Sequence, residues 1–247
     1  MPLWQELTHI GLLKAIEKTN VAVLPTGALE AHGNHLPLGT DNILPKYLVD
    51  AINDRTSALV LPPINYGDSW IFNEFEGTIT VEPSALVAFY TNVMKGVFKH
   101  SIRYLLVLNG HGGNSGHLET AAKDATNKGE RIVIIVNWWR DLSESARAIV
   151  LETPEGHAAE DETSEVMHVA PYLVDMENAT KARVRTKFRV VSGTYRRELI
   201  PRATFGDPTR ASKEKGKLIM EQACDEIVEL VNQLEKGNIP YLPSEEN

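Results

Sequence analysis

Four short runs in this chain are apolar almost from end to end, and stretches with helical periodicity lie between them. The runs cover residues 21–24, 58–61, 104–108 and 131–137. A strand that is apolar on both faces must be covered on both faces, and a parallel pair of strands needs a long crossover connection. Amphipathic segments at 6–18, 43–53, 83–100, 115–127, 162–170 and 212–236 supply the cover and the crossovers together. Pro83 suits the first turn of a helix, where its missing N–H costs nothing. Leu86, Val87, Tyr90, Val93, Met94, Val97 and Phe98 then form one buried stripe at 3–4 spacing. Ser212 is a candidate cap for the last helix, with Leu218, Ile219, Ala223, Ile227, Leu230, Val231 and Leu234 on its inner face. The pattern predicts an α/β fold, a three-layer αβα sandwich with a mostly parallel central sheet, with residues 1–247 as a single domain.

Ligand sites in such sheets lie beyond the carboxyl ends of the strands, and the polar clusters of this chain fall there. After the first run come Glu30, His32, His35 and Asp41. A two-residue spacing in extended chain turns Glu30 and His32 to the same side. Gly27, Gly33, Gly39 and Pro37 allow the backbone to double back and bring Asp41 near them. Carboxylate oxygens and imidazole nitrogens at this density are the donors a divalent metal requires; the alternative is a solvated polar loop. A second cluster, Asn109-Gly110-His111-Gly112-Gly113-Asn114, follows the third run. It lacks the glycine spacing of a dinucleotide or phosphate cradle, so His111 reads better as a ligand. A third, Gly156-His157-Ala158-Ala159-Glu160-Asp161-Glu162-Thr163-Ser164, precedes a helical segment. Three distant clusters at element ends point to one site assembled by the fold.

These blocks resemble the creatininase (creatinine amidohydrolase) family. The match is carried by residues 25–41 (P-x-G-x-x-E-x-H-G-x-H-L-P-L-G-T-D), by Asn109 to Asn114, and by His157-Ala-Ala-Glu-Asp-Glu-Thr-Ser164, in that order across most of the first 170 residues. The resemblance implies a creatininase-like fold and a hydrolase of a non-peptide carbon–nitrogen bond in a small molecule. It implies two divalent ions per subunit (Zn, Mn or Fe), Glu30, His32, Asp41 and His111 as ligands with Asp41 bridging, and an activated water as nucleophile. Creatininase itself carries a Tyr-Glu pair where this chain has Gly112-Gly113, which removes one glutamate ligand and argues against creatinine as the substrate. Glu162 is the candidate replacement ligand, with Glu160 the alternative. His157 is the candidate proton donor to the leaving nitrogen, or else a structural histidine bonding a loop carbonyl. Glu160, where it is not a ligand, would hold the attacking water or orient His157. Family resemblance also implies homo-oligomeric assembly, often a hexamer. Ring-opening of a cyclic keto-polyol at the same site, or a binding protein that has lost turnover, are the alternative functions.

Trp139 and Gly112 are candidate substrate contacts: Trp138-Trp139 and Trp70-Ile71-Phe72 lie just past strand ends, where they would wall a pocket or fill core. His35 would support a ligand or pack beneath Pro37. His9, His100, His117 and His168 sit in helical patterns, as surface or core residues. Residues 183–208 break the alternation and read as an extended hairpin-like insertion, either a subunit contact or a pocket wall carrying Arg196 or Arg197. With Glu74-Phe75-Glu76 this insertion would set substrate choice. A formal charge of −8 argues against nucleic acid or an anionic membrane as partner. No apolar run approaches the ~18 residues of a membrane span. The lone Cys224 suits a reducing compartment and reads as a helix-face residue. With no basic-then-apolar leader pattern, the expected location is the cytoplasm. The tail after Tyr241 is expected to be loose.

Overall fold

All four apolar runs form strands, and they pair in parallel. The computed structural model describes residues 3–239; the expectation of a loose tail after Tyr241 lies outside them. The strands are β1 (Val21–Thr26), β2 (Leu59–Val60), β3 (Tyr104–Asn109) and β4 (Ile132–Asn137), in the sheet order β2-β1-β3-β4. The helices are α1 (His9–Ile16), α2 (Thr40–Arg55), α3 (Pro83–Val97), α4 (Ser115–Ala125), α5 (Trp138–Asp141), α6 (Glu144–Val150), α7 (Glu160–Val169), α8 (Arg196–Leu199) and α9 (Lys213–Glu235).

Successive side chains on a strand point to opposite faces, and each face has its own core. Val21, Val23, Tyr104, Leu106, Leu108 and Val136 pack against Leu48 and Ile52 of α2 and Met220, Ile227 and Val231 of α9. Ala22, Leu24, Leu105 and Val107 pack against Tyr90 and Met94 of α3 and Leu118 and Ala121 of α4. The three-layer arrangement follows. Pro25 is tolerated in the central strand β1 because its missing N–H falls on the β2 side, where β2 has already ended at Val60. Ser212 caps α9, its hydroxyl accepting from the Lys215 N–H. Leu218, expected on the inner face of α9, is half exposed instead.

Two regions differ from expectation. Residues 183–208 form no hairpin: an antiparallel bridge between Ala182 and Gly206 pinches the base, and within the loop only α8 and short 3-10 turns are regular. Helix α2 starts at Thr40, three residues earlier than its apolar periodicity indicates, so Asp41 lies in its first turn. Among the described residues, no helix is long and apolar enough to cross a membrane.

Candidate metal centre

Strand order reverses between β1 and β3, and crevices at such reversals are where parallel sheets bind ligands. The carboxyl ends there are tied together: the Thr26 hydroxyl donates to Asn109 Oδ1 (3.1 Å), and Asn109 Nδ2 donates to Asn137 Oδ1 (2.9 Å) and to the His111 carbonyl (2.8 Å). His111 is thereby fixed just beyond β3, and Glu30 and His32 follow β1. Helix α2 brings a further carboxylate, Asp41, from the side. Pro45 offers no N–H to the carbonyl four residues back, and that Asp41 carbonyl presses against Gly27 and Gly110. A Cβ at either glycine would come within 2.4 Å and 2.2 Å of it, respectively. The two glycines let Asp41 approach both strand ends.

Asp41 presents one oxygen to each of two histidines. Oδ1 lies 3.0 Å from His32 Nε2, and Oδ2 lies 2.8 Å from His111 Nδ1. Glu30 Oε1 is 3.4 Å from His111 Nδ1, and Glu162 Oε2 is 4.0 Å from His32 Nε2. Two donor groups sharing Asp41 result, Glu30–Asp41–His111 and His32–Asp41–Glu162, with the donor atoms of each all within 4.8 Å of one another. A further group joins Glu30, His32 and His157.

The distal nitrogen of each histidine is bound to a backbone carbonyl. His32 Nδ1 donates to Glu30 O (3.1 Å), His111 Nε2 to Asp68 O (2.8 Å), and His157 Nε2 to Ala31 O (2.9 Å). Such bonds orient each ring so that the inward nitrogen, once it has lost its proton, turns its lone pair to the cluster, as in metal-bound histidines. Apart from the histidine–carboxylate contacts within the cluster, Glu30 Oε2, His32 Nε2 and Asp41 Oδ2 are buried with no hydrogen-bond partner among the described residues. Buried polar atoms are rarely left so. Unsatisfied nitrogen and carboxylate donors converging on one space fit divalent Zn, Mn or Fe.

Electrostatics agree with a site short of positive charge. Burial pushes Glu30 up to about 7 and Glu162 up to about 8. Burial alone would depress His32 and His111, but the carboxylates around them prevail and hold both at about 10. Asp41 is drawn well below the usual carboxylate range, because His32 and His111 outweigh its burial. His157 goes the other way: burial, then the neighbouring His32, lowers it to about 3, so its ring is neutral.

Of the two glutamates considered as a further ligand, the structure brings Glu162 to the cluster, its Oε2 accepting the Ala158 N–H at 2.6 Å. Glu160 is not brought there. Its carboxylate is taken by Lys215 Nζ (2.6 Å), the Thr153 hydroxyl (2.7 Å) and the Glu152 N–H (3.0 Å), and it joins none of the donor groups at the cluster. Gly113 has no room for the glutamate that creatininase carries there: even a Cβ would lie 2.1 Å from Asp68 O and 2.5 Å from His111 Nε2. Trp139 is half-buried beside exposed Gly112, whose Cβ position is 3.8 Å from the indole. Trp138 is core, with Arg147 over its ring. His35 donates or accepts across 2.9 Å with the Thr163 hydroxyl of α7 and makes no donor group of its own.

Neighbours of the site differ in how much sequence signal they carry. Asp68 acts through its carbonyl, which any residue would supply; its carboxylate is held by His117 (2.8 Å) and its N–H by Asn114 (3.1 Å). Phe72, expected with Trp70 and Ile71 to wall a pocket or fill core, stacks on His157. Asn137 was detectable, because it closes an apolar run with a polar residue as Thr26 and Asn109 do.

Residues 5–231 match the Creatininase family, described as creatinine amidohydrolase. A creatinine amidohydrolase of Pseudomonas putida is 28% identical over 233 residues, spanning 86% of this chain and 89% of that protein. A 3-dehydro-scyllo-inosose hydrolase of Thermotoga maritima is 25% identical over 263 residues, spanning 94% and 83%. A crystal structure of creatinine amidohydrolase (creatininase) superposes with a TM-score of 0.83 at 26% identity, over 94% of this chain and 97% of that one. With the family match covering residues 5–231 and the fold shared over most of the chain, the chain belongs to the creatininase family of amidohydrolases, hydrolases of carbon–nitrogen bonds.

Proposed function

We propose that this chain hydrolyses a non-peptide C–N bond, a cyclic amide or formamide, in a small molecule, using two divalent ions. Glu30 and His111 would hold one ion, His32 and Glu162 the other, with Asp41 shared. The observation that carries this reading is the division of Asp41 between His32 (3.0 Å) and His111 (2.8 Å), one oxygen to each. Bound there, the ions would supply Lewis acidity toward a carbonyl and a water acidic enough to react near neutral pH.

The chain's own groups do the rest. His157 rests neutral, so the proton it gives to the leaving nitrogen has to be taken up earlier in the same turnover. Its Nδ1 faces the cluster, 3.8 Å from Glu30 Oε1, and is the atom that accepts the proton as the nucleophile forms. The bond from Nε2 to Ala31 O keeps that nitrogen out of the exchange. Trp139 and Gly112 would form the substrate side, the glycine leaving open the space next to the indole. Expected assembly is a homo-oligomer, read by light scattering.

Metal analysis and a substrate panel test the reading together. The loaded protein should contain about two equivalents of Zn, Mn or Fe per chain. It should hydrolyse at least one cyclic amide or formamide, and a chelator should abolish this. Cyclic keto-polyols belong in the panel because the Thermotoga relative is an inosose hydrolase. Turnover insensitive to chelation, or no metal uptake, would overturn the proposal.

A further inference from the structure

The imidazole of His157 has one hydrogen bond and two aromatic neighbours. His32 lies with its ring centre 4.2 Å away, tilted by 38°, and Phe72 lies 4.2 Å away, stacked at 21°. Two rings that close cannot share a face, so the imidazole is sandwiched between them. The Nε2 bond to Ala31 anchors one end of the ring and leaves rotation about that anchor open. The sandwich removes this freedom and aims Nδ1 at the cluster.

Phe72 is 4% exposed yet belongs to neither core of the sheet. It forms a small cluster with Ala31 and Ala203, against which Ile71, Phe75 and Ile200 pack. Ala31 therefore both bonds His157 and packs on Phe72. The segment carrying Phe72 is held from outside by the long loop. Arg196 Nε donates to Glu74 Oε1 (3.0 Å), Nη1 donates to Trp70 O (3.2 Å), and the guanidinium lies 4.8 Å over the Trp70 ring. Arg197 lies 4.7 Å over Phe75.

We infer that Phe72 is a positioning residue: its flat face sets the plane of the His157 ring, and the Arg196–Glu74 clasp keeps Phe72 in place. This rests on the assignment of His157 as the proton carrier. An apolar side chain of similar volume would fill the same space without offering a flat face. Phe72→Met therefore tests stacking rather than burial, and Phe72→Tyr restores the face.

The first measurement is hydrogen–deuterium exchange at the His157 ring carbon between the nitrogens, by mass spectrometry on zinc-loaded protein. It needs no substrate. Phe72→Met should speed exchange at His157 by about threefold or more and leave His35 unchanged, Arg196→Ala should do the same to a smaller extent, and Phe72→Tyr should stay near wild type. Unchanged exchange in Phe72→Met overturns the proposal. The second measurement uses whichever amide the panel shows to be hydrolysed. Phe72→Met should lower kcat about tenfold or more with KM within about threefold, and in a His157→Ala background it should cost nothing further. A further loss in that background would show that Phe72 acts elsewhere and overturn the proposal. Wild-type kcat in His157→Ala alone would instead remove the proton-carrier assignment on which it stands.

Discussion

Asp41 is buried between two imidazoles whose outward nitrogens are already bound to carbonyls. Replacing it with asparagine keeps the shape but offers an amide nitrogen where a second anionic oxygen is needed. Asp41→Asn should reduce bound metal by about tenfold or more, read by elemental analysis after gel filtration, while the circular dichroism stays that of the folded chain. Retention of full metal content would exclude a shared ligand. Gly113 tests the layer behind. An added methyl would displace Asp68 O or His111 Nε2, so Gly113→Ala should weaken metal affinity by about 10–100-fold without removing any donor. Competition with a chromogenic chelator reads that change. The grouping of Glu30, His32, Asp41 and His111 was legible in the sequence because residue types able to hold a metal are few, and they stand out beside strand ends. Asp68 was not, since a carbonyl leaves no trace in the side-chain code. Glu160 and Glu162 lie two apart at the start of α7, and only the turn of that helix separates the one facing Lys215 from the one facing His32.

Helices α7 and α9 cross close enough that a Cβ on Gly216 would lie 1.8 Å from the carbonyl oxygen of Ser164. Helix propensity and packing make opposite predictions here. In an open helix Gly→Ala stabilises by about 1 kcal/mol, whereas overpacking a fixed crossing destabilises by about 1–3 kcal/mol. Gly216→Ala should therefore lower the melting temperature, and because α7 carries Glu162 it should lower metal content as well. A raised melting temperature would show that the crossing can relax. The strands were legible because both faces of the sheet are covered: buried on two sides, they read as unbroken apolar runs. Helix starts were less so. Helix α2 opens with Thr40-Asp41-Asn42, of which Asp41 joins the cluster while Thr40 and Asn42 bond loop carbonyls, and its apolar periodicity begins only at Ile43. The loop at 183–208 was misread because its alternation of charged and apolar residues imitates a strand. Phe188, Val190 and Val191 are in fact exposed, with no strand partner among the described residues.

Folding and metal uptake are joined through protons held at the site. In the metal-free chain His32 and His111 are raised from 6.5 to about 10, and Glu30 and Glu162 from 4.5 to about 7 and about 8. All four groups bind protons more tightly folded than unfolded, so stability falls as pH rises through their windows. The carboxyl contribution is lost from about 4.5 to about 8, where burial makes ionisation costly. The imidazole contribution is complete below 6.5 and lost on the way to about 10. Asp41, lowered from 3.8, has the opposite sign, but its window is confined to acid and does not touch this range. Metal ions bind the deprotonated ligands and take the place of those protons. Chelated protein should therefore lose thermal stability steadily between about pH 6 and 9, while loaded protein holds or gains, and the gap between the two melting curves should widen. Metal addition at about pH 7.5 should also release about three protons per chain, read by calorimetry in buffers of different ionisation enthalpy. Parallel melting curves across that range, or uptake without proton release, would mean that the cluster of Glu30, His32, His111 and Glu162 is not where the metal goes.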